Sequence, residues 1–301
     1  MKHLLSVADL TRDDVERILD AAGALPIDGE KLPTLKGRLV LTLFFEASTR
    51  TSSSFELAAK RLSADVMSVK STGSSVEKGE SLKDTVLTLA QFEPAAIVVR
   101  HPHIGAPQLV ARHSDAAVIN AGDGKHQHPT QALLDLFTMR ETLGRLDGLH
   151  VAIVGDVLHS RVARSLIQAL GLVGAHTTVV GPPTLIPRGI EAMGCDAAED
   201  IAAIEAADVV YVLRMQRERM ESAYVPSLRE YAARWGITPE RLRPGQKVMH
   251  PGPINRGVEI DGRVADSPDS LILDQVRAGL AVRMAVLQQL LVRRPALEVV
   301  A

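Results

Sequence analysis

Four consecutive side chains, Ser48-Thr49-Arg50-Thr51, have the types and spacing to hold a phosphate. They follow the apolar run 39–45. They precede a segment in which Phe55, Ala58, Ala59 and Leu62 recur at helical spacing, so the order is strand, tight turn, helix. The first turn of a helix leaves backbone N–H groups unpaired and carries the positive end of the dipole, which favours an anion. The hydroxyls add donors, and the guanidinium adds a charge whose planar fork matches phosphate oxygens. Taken alone, the tetrapeptide also fits a Ser/Thr N-cap beside a solvated arginine. Other polar residues bear on the choice. Glu46 stands just before the tetrapeptide, and Arg100 follows the apolar run 96–99. Arg161 comes after 151–154 and Gly155-Asp156, and Arg214 and Gln216 come after 209–213. His128-Pro129-Thr130-Gln131 opens a helical pattern, and His250-Pro251-Gly252-Pro253 follows 247–249. A lone arginine at a strand end is most often a surface charge. Several at one edge repel unless an anion sits among them, so the chemistry they suit is recognition of small anions.

Those positions make sense only if short strands alternate with helices. The strand-like runs are 39–45, 65–69, 96–99, 117–119, 151–154, 177–180, 209–213 and 247–249. Helical patterns such as 82–91, 131–142, 162–172 and 271–291 lie between or after them. This βαβα rhythm predicts an α/β chain: two tandem domains, each a parallel sheet flanked by helices, meeting near Gly144. Ligands of open α/β sheets bind beyond the carboxyl ends of the strands, where the polar residues fall.

Composition narrows the function classes. A net charge of −2 and 3% aromatics argue against nucleic acid and base-stacking surfaces. The single Cys195 excludes an internal disulfide framework and a multi-cysteine metal site. No segment has the ~18 consecutive apolar residues of a membrane span, and the first residues lack a secretory apolar run, so a soluble cytoplasmic protein is expected. Gly155-Asp156 follows a good strand without the dinucleotide glycine pattern, and Lys78-Gly79 inverts the order that a nucleotide phosphate loop requires. His101 and His103 flank Pro102 with no third ligand nearby in sequence, so a metal is not expected there.

Four segments together closely resemble the aspartate carbamoyltransferase family. Residues 45–51 look like its carbamoyl phosphate signature. Asn120-Ala121-Gly122-Asp123-Gly124 leading into residues 128–135 is the second match, Arg214-Met215-Gln216 with Glu218-Arg219 the third, and residues 250–257 the fourth. The resemblance runs over nearly the whole chain. It implies a carbamoyl phosphate domain over 1–133 plus 284–301, the C-terminal helix packing back on it, and an aspartate domain over 144–283. It implies that Ser48, Thr49, Arg50, Thr51 and Arg100 bind carbamoyl phosphate. His128 and Thr51 would face the carbamoyl oxygen, Gln131 the carbamoyl amide, and the carbonyls of Pro251 and Gly252 the same amide and the incoming amine. Arg161, Arg214 and Gln216 would bind aspartate's carboxylates. Ser74 and Lys78 resemble a mobile loop that enters a neighbouring subunit's site, which implies a homotrimer with shared sites. Glu46 and Arg283 would support the site from behind. Among these, Arg50, Thr51, Lys78 and His128 are the catalytic positions. No metal or organic cofactor is implied.

The expected reaction is transfer of the carbamoyl group to L-aspartate in pyrimidine biosynthesis. A neutral His128 can donate to the developing oxyanion without acting as a base. Two departures stand out: Ser52 occupies a position where family members often have Arg, and Glu77 sits beside Lys78. The rivals are a carbamoyltransferase for another amine such as ornithine, and a non-catalytic homologue. Ornithine carbamoyltransferases share the first motif and the His-Pro-x-Gln element. They typically carry His-Cys-Leu-Pro where this chain has His250-Pro251-Gly252-Pro253. A regulatory chain or a dihydroorotase-like partner stays open.

Overall fold

A computed structural model describes residues 1–70, 79–216 and 224–292. The chain divides into two compact units. The first comprises Met1–Leu5, Glu16–Asp123 and the segment from Leu280 onward; the second comprises Ser6–Val15 and Gly124–Gly279.

The first unit carries α1 (Arg12–Ala24, from Glu16 on), β1 (Leu39–Phe44), α2 (Thr49–Arg61), β2 (Asp65–Lys70), α3 (Leu82–Ala90), β3 (Ala96–His101), α4 (Ala106–Arg112) and β4 (Ala117–Asp123). Its sheet is parallel throughout, in the order β2-β1-β3-β4. Strand residues alternate between faces. Leu41, Leu43, Ile97, Val99 and Val118 pack with Val86 of α3 and Val110 of α4, while α2 lies against β1 and β2. β1 and β3 are buried on both faces, which explains their unbroken apolar runs.

The second unit carries α5 (Pro129–Leu143), β5 (His150–Val154), α6 (Arg161–Leu172), β6 (His176–Val180), β7 (Asp196–Ala198), β8 (Val209–Val212), α7 (Leu228–Trp235), β9 (Lys247–Met249), α8 (Gly262–Ala265) and the start of α9 (Ile272–Leu291). Its sheet is also parallel, in the order β7-β6-β5-β8-β9. Ala152, Val154, Val180, Val210, Val212 and Val248 form a core with Ile237, Ile260, Val264 and Ile272.

The α/β expectation therefore holds, with one strand added. β7 is a short edge strand whose residues are mostly exposed, so it has no apolar run to reveal it. β3 and β4 extend past the expected ends through residues outside the apolar runs, and their register shifts between Val99 and His101, so that His101 pairs with Asp123. The last part of α9 packs back on the first unit: Arg283 Nη1 donates to Ser54 Oγ of α2 at 2.7 Å, and Gln289 Nε2 donates to the Arg17 carbonyl of α1 at 3.0 Å. No helix among the described residues is long and apolar enough to cross a membrane.

Candidate active site

Each sheet has one point where the chain leaves neighbouring strands in opposite directions, and open α/β sheets bind ligands there. In the first unit that point lies between β1 and β3. Ser48 is the N-cap of α2 with an extended backbone, yet its side chain makes no capping hydrogen bond. Its hydroxyl instead accepts from Arg100 Nη1 at 3.1 Å. Arg100 pairs in register with Phe44, and its Nε meets Glu46 Oε2 at 3.1 Å, with both side chains mostly buried. Glu46 thus orients the guanidinium, which in turn reaches the first turn of α2. Thr49 and Arg50 are exposed and Thr51 is buried. Ser54 donates to the Arg50 carbonyl at 2.7 Å while accepting from Arg283. Arg283 also lies over the Phe55 ring, its Cζ 5.2 Å from the centroid. A buried arginine thereby steadies the turn that presents Arg50.

Where β4 ends, polar side chains lock the backbone. Asn120 Nδ2 donates to the Leu5 carbonyl and to Asp123 Oδ1, each at 2.9 Å, and Asn120 Oδ1 accepts from Gly122 N at 2.8 Å. Gly122 has φ 122°, which a side chain rarely tolerates.

In the second unit the switch point lies between β5 and β8. Arg161 is the first residue of α6 after β5 and is buried; its Nη1 donates to the Gly124 carbonyl at 3.1 Å. Arg214 and Gln216 follow β8 and are half-buried. Buried Asp156 ties the two strand ends together. Its Oδ2 accepts from Gln216 N at 3.1 Å, and its Oδ1 meets His159 Nδ1 at 2.8 Å.

His128 is the N-cap of α5 and is buried, its own N–H donating to Ser165 Oγ at 2.8 Å. Gln131, one turn along, donates from Nε2 to Asp135 Oδ1 at 3.0 Å. The turn after β9 is held by His250. Its Nδ1 accepts from Gly252 N at 2.8 Å, which leaves the ring proton on Nε2, toward Glu259 Oε1 at 3.3 Å. The Gly252–Pro253 peptide is cis. Ser74 and Lys78 lie outside the described residues, as do Glu218 and Arg219 of the third matching segment. Among the described residues, no group of three or more His, Cys, Asp or Glu is placed to hold a metal.

Asp135, Asp156, Glu259 and Gln275 also hold the site's turns together, although nothing in their sequence positions assigns them a role. A signal existed for Asp135: it is the one carboxylate within 129–139, the part of α5 in which every residue is buried.

Two family descriptions fit this geometry. Residues 2–141 match the aspartate/ornithine carbamoyltransferase carbamoyl-P binding domain, and residues 147–290 match the Asp/Orn binding domain of the same family. The chain is 55% identical to the aspartate carbamoyltransferase catalytic subunit of Salinispora arenicola, over 97% of this chain and 98% of that one. It is 54% identical to the Beijerinckia indica catalytic subunit, over 96% and 94%. Among solved structures, aspartate transcarbamoylase from Trypanosoma cruzi in complex with carbamoyl phosphate and aspartate superposes with a TM-score of 0.87 at 32% identity, covering 97% of each chain. The catalytic subunit of M. jannaschii aspartate transcarbamoylase gives 0.84 at 37% identity, covering 96% of this chain and 98% of that one. The chain belongs to the aspartate/ornithine carbamoyltransferase family.

Proposed function

We propose that the chain transfers the carbamoyl group of carbamoyl phosphate to the amine of L-aspartate, releasing N-carbamoyl-L-aspartate and phosphate. The observation that carries the choice of acceptor is the pair Arg161 and Arg214, which leave the adjacent strands β5 and β8. Two guanidiniums suit a dicarboxylate and would repel ornithine's terminal ammonium. Gln216, anchored through its backbone to Asp156, adds an amide beside them.

The phosphate is held by Ser48, Thr49, Arg50, Thr51 and Arg100, with Ser74 and Lys78 supplied by a neighbouring subunit. Lys78 also reaches aspartate. The amine attacks the carbamoyl carbon, and negative charge grows on the carbonyl oxygen. Thr51 and His128 donate to it, and Arg50 and Lys78 add positive charge around the reacting group, so the transition state is stabilised more than the bound substrates. The bond from carbon to the phosphate oxygen then breaks, and phosphate leaves with the proton released by the amine. Gln131 and the Pro251 and Gly252 carbonyls hold the carbamoyl NH2. Glu46 and Arg283 keep Arg100 and Arg50 in place. Residues 1–133 with 284–301 serve carbamoyl phosphate, and 144–283 serve aspartate.

This reading places the enzyme in cytoplasmic pyrimidine synthesis as a homotrimer. It is compatible with a regulatory chain or a dihydroorotase-like partner. The test is inhibition. Succinate, a dicarboxylate without an amine, competes with aspartate, whereas norvaline, an amino acid without a second carboxylate, does not. Norvaline inhibiting as well as succinate would contradict the dicarboxylate reading.

A further inference from the structure

Asp135 is fully buried on α5, a position where a carboxylate is tolerated only if donors surround it. Tyr211 OH donates to Oδ2 at 2.7 Å, and burial together with the Asp135 charge pushes the phenol well above its usual pKa, so it keeps its proton. Oδ1 accepts from two amides: Gln275 Nε2 at 2.7 Å and Gln131 Nε2 at 3.0 Å. An ionised carboxylate only accepts, so each glutamine must turn its NH2 toward it. For Gln275 a second bond agrees, because its Oε1 accepts from His250 N at 2.9 Å. The same carboxylate therefore leaves Gln131 Oε1 at the opposite end, as an acceptor. An acceptor suits an NH2 group and not a carbonyl oxygen.

We propose that Asp135 is a positioning residue that orients the Gln131 amide so that its oxygen meets the carbamoyl NH2. Through Gln275 and His250 the same carboxylate steadies the turn carrying Pro251 and Gly252. The inference rests on the reading of Gln131 as the ligand of the carbamoyl amide. It deepens that reading by explaining how the enzyme tells which end of a nearly symmetric group it holds.

The experiment compares binding of carbamoyl phosphate and acetyl phosphate, which carries a methyl where the substrate carries NH2. Full-length wild type, Gln131→Ala, Asp135→Leu, Asp135→Ser and Asp135→Asn are titrated, each first shown to melt cooperatively. Gln131→Ala lowers the preference for carbamoyl phosphate by about tenfold, the equivalent of one hydrogen bond near 1.4 kcal/mol. Asp135→Leu lowers it as much, and Asp135→Ser does so even if the Leu protein does not fold. Asp135→Asn retains the preference, because its one oxygen can still accept from both glutamines while its NH2 turns to the Tyr211 oxygen. An unchanged preference in the folded Leu or Ser variant, with Gln131→Ala reduced, overturns the positioning role and leaves the reading of Gln131 intact. An unchanged preference in Gln131→Ala overturns that reading, and the inference with it.

Discussion

Ser48 and Ser160 are both serines at the N-cap of a helix that follows a strand, yet the structure uses them differently. Ser160 Oγ accepts from Ala163 N at 3.1 Å and is buried. Ser48 Oγ caps nothing and accepts from Arg100 instead. Removing a working cap costs about 0.5–2 kcal/mol, which corresponds to roughly 2–4 °C of melting temperature per kcal/mol at this size. Ser160→Ala should therefore melt several degrees lower, whereas Ser48→Ala should lose less than about 0.5 kcal/mol, the scale of a substitution away from any cap or core. The hydroxyl of Ser48, having accepted from Arg100, keeps its proton to donate to phosphate. A hydrogen bond to a charged group contributes about 1.5–3 kcal/mol. Half-exposure puts Ser48 at the low end, so kcat/KM for carbamoyl phosphate should fall about tenfold. Thermal melts and initial rates on the two variants test both arms. The reasoning is refuted if Ser48→Ala melts as low as Ser160→Ala while its kcat/KM is unchanged.

Three further outcomes follow from the same geometry. His128→Ala should lower kcat by about 10²–10³, the usual loss for one oxyanion donor, while carbamoyl phosphate binding changes far less; equal losses would count against a transition-state role. Burial, helped by neighbouring His103, holds the His101 imidazole below its ordinary pKa, and its Nδ1 accepts from His103 N at 2.9 Å. The unfolded chain then binds the proton more readily, so this contribution to stability is present above about pH 6.5 and is lost as the pH falls toward the folded value. Denaturant titrations at pH 7 and pH 5 should show a smaller acid loss for His101→Gln than for wild type, and an equal loss would remove His101 as the cause. Mixing Arg50→Ala with Lys78→Ala should restore partial activity if subunits share sites. Failure after verified subunit exchange would contradict the shared-site trimer.

Much of this molecule could be read from local pattern. β1, β3 and β5 announce themselves because both faces of each sheet are covered, which demands unbroken apolar runs. β7 did not, because an exposed three-residue edge leaves no apolar imprint. Arg100 and Arg214 stand out in the sequence because a charge directly after an apolar run is a strong local contrast, and Arg100 is found against Ser48 and Glu46. Asp135 and Asp156 do not stand out in this way, because their meaning lies in partners distant along the chain. Asp135 meets Tyr211 76 positions away and Gln275 140 positions away. Likewise Asp156 gains its role only once β5 and β8 are paired and Gln216 N comes within 3.1 Å. Periodicity can show that Asp135 lies on a buried helix, but it does not name the donors that make the burial tolerable.

The most direct test of the account follows the carbamoyl carbon itself. Purified protein is given 13C-labelled carbamoyl phosphate with L-aspartate and L-ornithine together in one tube, and the label is traced by NMR. The label is expected to pass into N-carbamoyl-L-aspartate as phosphate is released, with none entering the carbamoylated ornithine. Label in the ornithine product instead would contradict the assignment of Arg161, Arg214 and Gln216 as a dicarboxylate pocket.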